Sequence, residues 1–139
     1  MKKIVLLFVS VISAGLLLTS CNKDDDSSSS ASVEGKWYFS KVGAVVSGNE
    51  LLSDYLNECA TKKDYVEFSS NGSYASVFNL EDCTGTDISV GTWSRTGDVI
   101  TITETGQTPD SATILSLTST TLKVSYTDTD GTYITVFTR

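Results

Sequence analysis

Histidine is absent from all 139 residues of the chain. Ser-His-Asp and Cys-His catalysis are therefore excluded, as is any histidine-bound metal. Proline occurs once, as Pro109, and cysteine three times. Two thiolates without histidine do not fill a tetrahedral zinc site, so no metal is expected. No glycine-rich phosphate loop stands before a helix start. Positive charge is also scarce, with 10 Lys and Arg against 17 Asp and Glu. Lys2 and Lys3 lie at the extreme N-terminus. Setting them aside leaves 10 − 2 = 8 basic against 17 acidic residues, a net of −9. That argues against nucleic acid, whose phosphates need a basic face. Glu81-Asp82 is the only adjacent acid pair in a domain loop. A glycosidase needs two carboxylates facing each other across a cleft. No enzyme, catalytic residue or cofactor is expected.

What is present begins with an address. Lys2 and Lys3 precede "IVLLFVSVISAGLLL", residues 4–18, and then the small residues Thr19 and Ser20. This is the grammar of a secretory signal peptide, residues 1–20. The run is short for a membrane span of about 20 residues, and Ser10, Ser13 and Gly15 break it. Leu18-Thr19-Ser20-Cys21 resembles the lipobox of bacterial lipoproteins. The resemblance implies a diacylglyceryl thioether on Cys21 and cleavage just before it. A thiol is the best nucleophile among the side chains there. Two or more acyl chains, at about 0.8 kcal/mol per buried CH₂, hold a protein on a bilayer where one does not.

Residues 21–32, "CNKDDDSSSSAS", have no periodicity and read as a flexible tether. Its mean reach is about 20 Å, with a taut limit near ~40 Å. Lys23-Asp24-Asp25 resembles the export signal of Bacteroidetes surface lipoproteins. The resemblance implies display on the outer face of the outer membrane; the alternative is a periplasm-facing domain. With lipid on Cys21, an even pair remains, Cys59 and Cys83. In an oxidising compartment the two are predicted to form a disulfide. Closing that loop stabilises the fold by about 3.5 kcal/mol in the chain-entropy picture.

Residues 33–139 suit a single domain. Sixteen threonines lie between Thr86 and Thr138. Threonine is β-branched, favours strands and makes a wettable sheet face. Turn signals recur every eight to twelve residues, the rhythm of a sandwich or barrel. Strands are predicted over 35–46, 64–68, 73–80, 88–95, 99–104, 111–117, 122–128 and 132–139. Leu51, Leu52, Tyr55 and Leu56 fall at helical spacing behind Asn49, which predicts a short helix over 50–58. Asn71-Gly72 is a strong two-residue hairpin signal. The expected architecture is all-β: an eight-stranded antiparallel up-and-down β-barrel with one short helix after strand 1. Eight strands are enough to close, and closure removes exposed edges. A sandwich is the alternative.

Gly35-Lys36-Trp37 opens the first strand, and Arg139 follows the last. This arrangement resembles the lipocalins, and implies that Trp37 closes the barrel floor with Arg139 stacked on it. The full order adds a cysteine before "DYVEF", then "NGSY", a second cysteine, "GTW", "ITI" and a terminal F-x-R. It resembles the lipocalin-like lipoproteins of Bacteroidetes. The domain is short for a lipocalin and lacks the usual acidic loop motifs, which argues against a roomy cup.

Trp37, Tyr74, Phe78, Trp93, Tyr126 and Phe137 lie where an inward face is expected, and core filling is their simplest role. If there is a cavity, Tyr74, Phe78, Trp93 and Tyr126 are the ligand-binding candidates, each an apolar body and three with a polar tip. Asp128-Thr129-Asp130-Gly131 resembles the start of a calcium loop but lacks its later ligands, and reads as a hairpin turn. Asp110-Ser111-Ala112 resembles a short O-glycosylation motif, in an expected loop. The expected function is a lipid-anchored, monomeric outer-membrane module that binds a small hydrophobic or amphipathic molecule. The alternatives are a surface module contacting a protein or glycan through its loops, and a carboxylate enzyme.

Overall fold

The computed structural model describes residues 31–139. The predicted signal peptide, Cys21 and most of the predicted tether, including Lys23-Asp24-Asp25, lie outside the described residues.

Nine strands follow in chain order: β1 Gly35–Val46, β2 Asn49–Asp54, β3 Tyr65–Phe68, β4 Ser73–Asn79, β5 Thr86–Thr96, β6 Val99–Glu104, β7 Asp110–Leu117, β8 Thr121–Thr127 and β9 Thr132–Thr138. All neighbours pair antiparallel, and β1 also pairs with β9. β1 and β3 to β9 thus close into an eight-stranded barrel. β2 is additional. It continues the upper half of β1 as a hairpin, while the lower half of β1 pairs with β3.

The helix predicted over 50–58 does not form. Ser47 and Gly48 have φ of 51° and 80° and make a two-residue turn. Positive φ at both positions matches the twist of a hairpin. Leu51 and Leu52 therefore pair with Ala44 and Gly43 instead of winding. Their helical spacing had no helical face to bury: Leu51, Leu52 and Leu56 are all exposed. A second correction concerns the β3–β4 turn. Gly72 alone takes positive φ, at 84°, and its N–H donates to the Ser69 carbonyl at 3.0 Å. The loop spans residues 69–72, as the predicted strand bounds left it, but Asn71 does not take the positive φ that the two-residue turn type requires.

The strand ends sort into two rims. The start of β1, the end of β9 and the β3–β4, β5–β6 and β7–β8 turns gather at one end. The β1–β2 hairpin and the β2–β3, β4–β5, β6–β7 and β8–β9 connections gather at the other. Alternation sends Trp37, Val66, Phe68, Tyr74, Ile100, Ile114, Leu122 and Phe137 into one core, joined by Val33. Two glycines allow a neighbouring strand to approach closely. A Cβ at Gly43 would lie 1.9 Å from the Leu51 carbonyl oxygen, and one at Gly91 would lie 2.1 Å from that of Thr103. Any side chain at either position would push the neighbouring strand away.

Candidate functional site

The closed end is built around Trp37, which is fully buried. Its indole N–H donates to the Val33 carbonyl at 2.7 Å. The Arg139 guanidinium carbon sits 4.0 Å from the centre of the indole ring. The same guanidinium donates to the carbonyls of Ser119 at 2.7 Å, Glu34 at 2.7 Å and Ser32 at 3.3 Å. One cation thus ties the segment entering the barrel, the β7–β8 turn and the tryptophan into a floor. Gly35 has φ of +114°, and a Cβ there would come within 3.1 Å of the guanidinium. The glycine of the G-x-W is thereby explained as room for the arginine.

The open end is tied differently. Cys59 and Cys83 form the predicted disulfide, joining the β2–β3 and β4–β5 connections across 24 residues. Beside it, Asp64 is buried. One of its oxygens accepts from the Asn79 backbone N–H at 2.7 Å and the Asn79 side-chain amide at 3.1 Å; the other accepts from the Tyr55 hydroxyl at 2.7 Å. Its own N–H donates to the Asn57 side-chain oxygen at 2.7 Å. Burial first, then the hydrogen bond to Asp64, push the Tyr55 hydroxyl well above the ordinary phenol range. Tyr55 stacks on Phe39 at 4.8 Å, and Phe39 meets Phe78 at 5.5 Å and Phe137 at 4.8 Å.

Between the two ends the barrel is not completely filled. An apolar cavity of about 190 Å³ is walled by residues that include Phe39, Val66, Tyr74, Ile100, Ala112 and Val124. Above it, toward the open end, lies a polar cavity of about 380 Å³ lined by Tyr74, Ile102, Glu104, Gln107, Thr108 and Asp110. Tyr74 and Ile102 belong to both walls. Gly91 stands opposite both Tyr74 and Glu104 in the ladder. Burial raises the Tyr74 hydroxyl above its ordinary pKa, Ser76 partly offsets this, and Glu104 adds to it.

Of the four ligand candidates, only Tyr74 lines these two cavities. Tyr126 and Tyr133 stack at 6.4 Å near the open rim, both partly exposed. Phe78 caps the aromatic cluster at the same rim and is 38% exposed. Trp93 lies toward the closed end, edge-on to Phe68 at 5.2 Å, with its N–H on the Ser69 carbonyl at 2.9 Å. Asp64 and Glu104 were not singled out by sequence, and Asp110 only as the first residue of a glycosylation motif. Nothing in residue type distinguishes a buried or cavity-facing acid from a solvated one.

The remaining motifs take structural roles. Asp82 accepts from the Thr84 N–H at 2.9 Å and its hydroxyl at 2.7 Å, which holds its carboxyl below the usual range and shapes the β4–β5 loop. Asp128 accepts from the N–H groups of Asp130 at 2.8 Å and Gly131 at 3.1 Å, forming the β8–β9 turn. Asp110-Ser111-Ala112 opens strand β7 and is not a loop, with the Ser111 hydroxyl 3.2 Å from that of Thr101.

A family model described as "Lipocalin-like domain" matches residues 33–124. The chain belongs to the lipocalin-like domain family. Two solved structures share the fold. A lipocalin-like protein from Bacteroides uniformis is 15% identical at a TM-score of 0.57, over 76% of this chain and 96% of its own. An uncharacterized protein from Bacteroides eggerthii is 13% identical at a TM-score of 0.55, over 76% of this chain and 98% of its own. No curated protein matches the sequence. A lipocalin-like barrel is typically a binding fold and not a catalytic one.

Proposed function

We propose that this lipocalin-like protein is a lipid-anchored outer-membrane binding module that holds a small apolar or amphipathic molecule inside its barrel. The observation that carries this reading is the apolar cavity of about 190 Å³ beneath a wider polar mouth. An apolar floor under polar groups suits a ligand with two unlike ends. The inner volume is below the roughly 300 Å³ of drug-sized sites, which points to a small ligand or to a small group on a larger one. Saturation-transfer NMR with one-ring probes tests it. Binding in the wild type and loss in an Ala112→Phe variant is the expected result; equal signal in both refutes the cavity as the site.

The anchor is argued from sequence. Arg139 holds the Ser32 and Glu34 carbonyls at the closed end. A tether running back to a lipidated Cys21 would leave from the floor, at the end opposite the mouth. Labelled palmitate should enter the wild type and not a Cys21→Ala form. Protease treatment of intact cells should release the domain if it stands on the outer surface; full protection would assign it to the periplasmic face.

A second reading, a protein- or glycan-contacting module, draws on the exposed Leu56 and Leu80 beside the disulfide. A carboxylate enzyme finds two acids on one cavity, Glu104 and Asp110. Neither is buried.

A further inference from the structure

We infer that the mouth selects for positive charge: the ligand is a small amine or ammonium compound with one ring-sized apolar group. The apolar group occupies the inner cavity, and the nitrogen sits beside Glu104 and Asp110. This rests on the binding reading above and adds the chemistry of the head group.

The size comes from the inner cavity. At about 190 Å³ with an apolar lining, it is close to cavities of roughly 150 Å³ that stay dry and take up benzene. The charge comes from the mouth. Its lining offers two carboxylates, an amide, a hydroxyl and a phenol, and no lysine or arginine.

The basic side chains of residues 31–139 are engaged elsewhere. Lys41 pairs with Asp54, and Lys123 with Glu50. Lys36 lies 3.9 Å from the centre of the Tyr65 ring and Lys63 lies 6.0 Å from that of Tyr38. Lys62 donates to the Cys83 carbonyl at 2.8 Å and Arg95 to that of Gly97 at 2.7 Å. Arg139 is committed to the floor. Among the described residues, neither Glu104 nor Asp110 has a cationic partner.

Tyr74 is only 7% exposed and lines both cavities, and its hydroxyl lies within reach of Ser76 and Glu104. It sits at the junction where a head group meets its apolar tail. Asp87, opposite Phe78 in the ladder, adds a negative charge on the same face of the sheet. Stacked Tyr126 and Tyr133 add ring faces of the kind that attract cations.

The test is calorimetric titration of the mature protein in zwitterionic lipid nanodiscs. The probes are 2-phenylethylamine, neutral 2-phenylethanol and anionic 3-phenylpropionate. Hydrogen bonds to a charged group favour the amine over the alcohol by about tenfold or more. That preference should shrink as salt rises, because the mouth is open to water. Glu104→Gln combined with Asp110→Asn should abolish it and leave the alcohol within twofold of its wild-type affinity. Ala112→Phe, with Val124→Phe as a second filler should the first not fold, should remove binding of both. Alcohol binding as tight as amine, and lost on filling, overturns the charge selection while the binding module stands. An amine preference that persists in the double variant also overturns it. No binding of any probe at millimolar concentration overturns both readings.

Discussion

At the closed end of the barrel a single cation does the joining; at the open end a buried carboxyl group and a disulfide do. Arg139 donates to three backbone carbonyls and covers the Trp37 ring. Asp64 accepts three hydrogen bonds, two from Asn79 and one from Tyr55. The reach of the two devices differs. Arg139 connects residues more than a hundred positions apart, Ser32 and Glu34 to the last residue of the chain, and so completes closure of the barrel. Asp64 and the Cys59–Cys83 bridge work within one stretch of chain and secure loops around an opening that stays open. The floor consumes its charge internally. The mouth keeps Glu104 and Asp110 available. Closure and the proposed ligand site thereby fall at opposite ends, and substitutions should separate them.

The largest effect is expected at the floor. Trp37→Ala empties a fully buried indole site and should cost about 3–5 kcal/mol, read as a lower urea midpoint. Replacing Cys59 and Cys83 together with serine should cost about 3.5 kcal/mol. Hydrogen exchange should then quicken in the β2–β3 and β4–β5 connections before it does so at the floor; uniform quickening would break the contrast between the ends. Asp64→Ala leaves the Asn79 N–H and the Tyr55 hydroxyl without their acceptor, and should cost about 2–3 kcal/mol in the same assay. Arg139→Lys keeps the charge but loses the planar fork, and should cost about 1–2 kcal/mol while leaving ligand affinity at the mouth unchanged.

The smallest effect depends on pH. The folded state holds the Tyr55 hydroxyl above its unfolded value, so the folded chain keeps that proton more tightly. Its contribution is complete below the unfolded phenol value of about 10 and declines as pH rises beyond it. Alkaline denaturation should therefore steepen above about pH 10 in the wild type. Tyr55→Phe should flatten that limb at a neutral-pH cost of about 1 kcal/mol. An unchanged alkaline limb would remove Tyr55 from the account of the open end.

Much of the frame was legible because it rests on local signals. β1 and β6 run over the predicted residues, since glycines mark both their ends and β6 also alternates. The cysteine pairing followed from parity and compartment. The hairpin β1–β2 was missed for a definite reason. Leu51, Leu52, Tyr55 and Leu56 carry helical spacing, and the turn ahead of them, Ser47-Gly48, puts a serine where glycine or asparagine usually signals positive φ. The site was less legible than the frame. Tyr74 was identified as an inward aromatic, but Glu104 and Asp110 come from adjacent strands separated by a loop. Their meeting depends on the β6–β7 connection and on Gly91, which lets β6 approach β5. Asp64 is an ordinary acid at a strand start until three donors converge on it.

Titration of ¹⁵N-labelled protein with 2-phenylethanol, followed by amide and indole shifts, tests the division of labour most directly. The account predicts movement at Tyr74, Ile102, Glu104 and Val124, with the Trp37 indole signal unmoved. Shifts centred on Trp37 and Arg139, or none at the mouth, would contradict it.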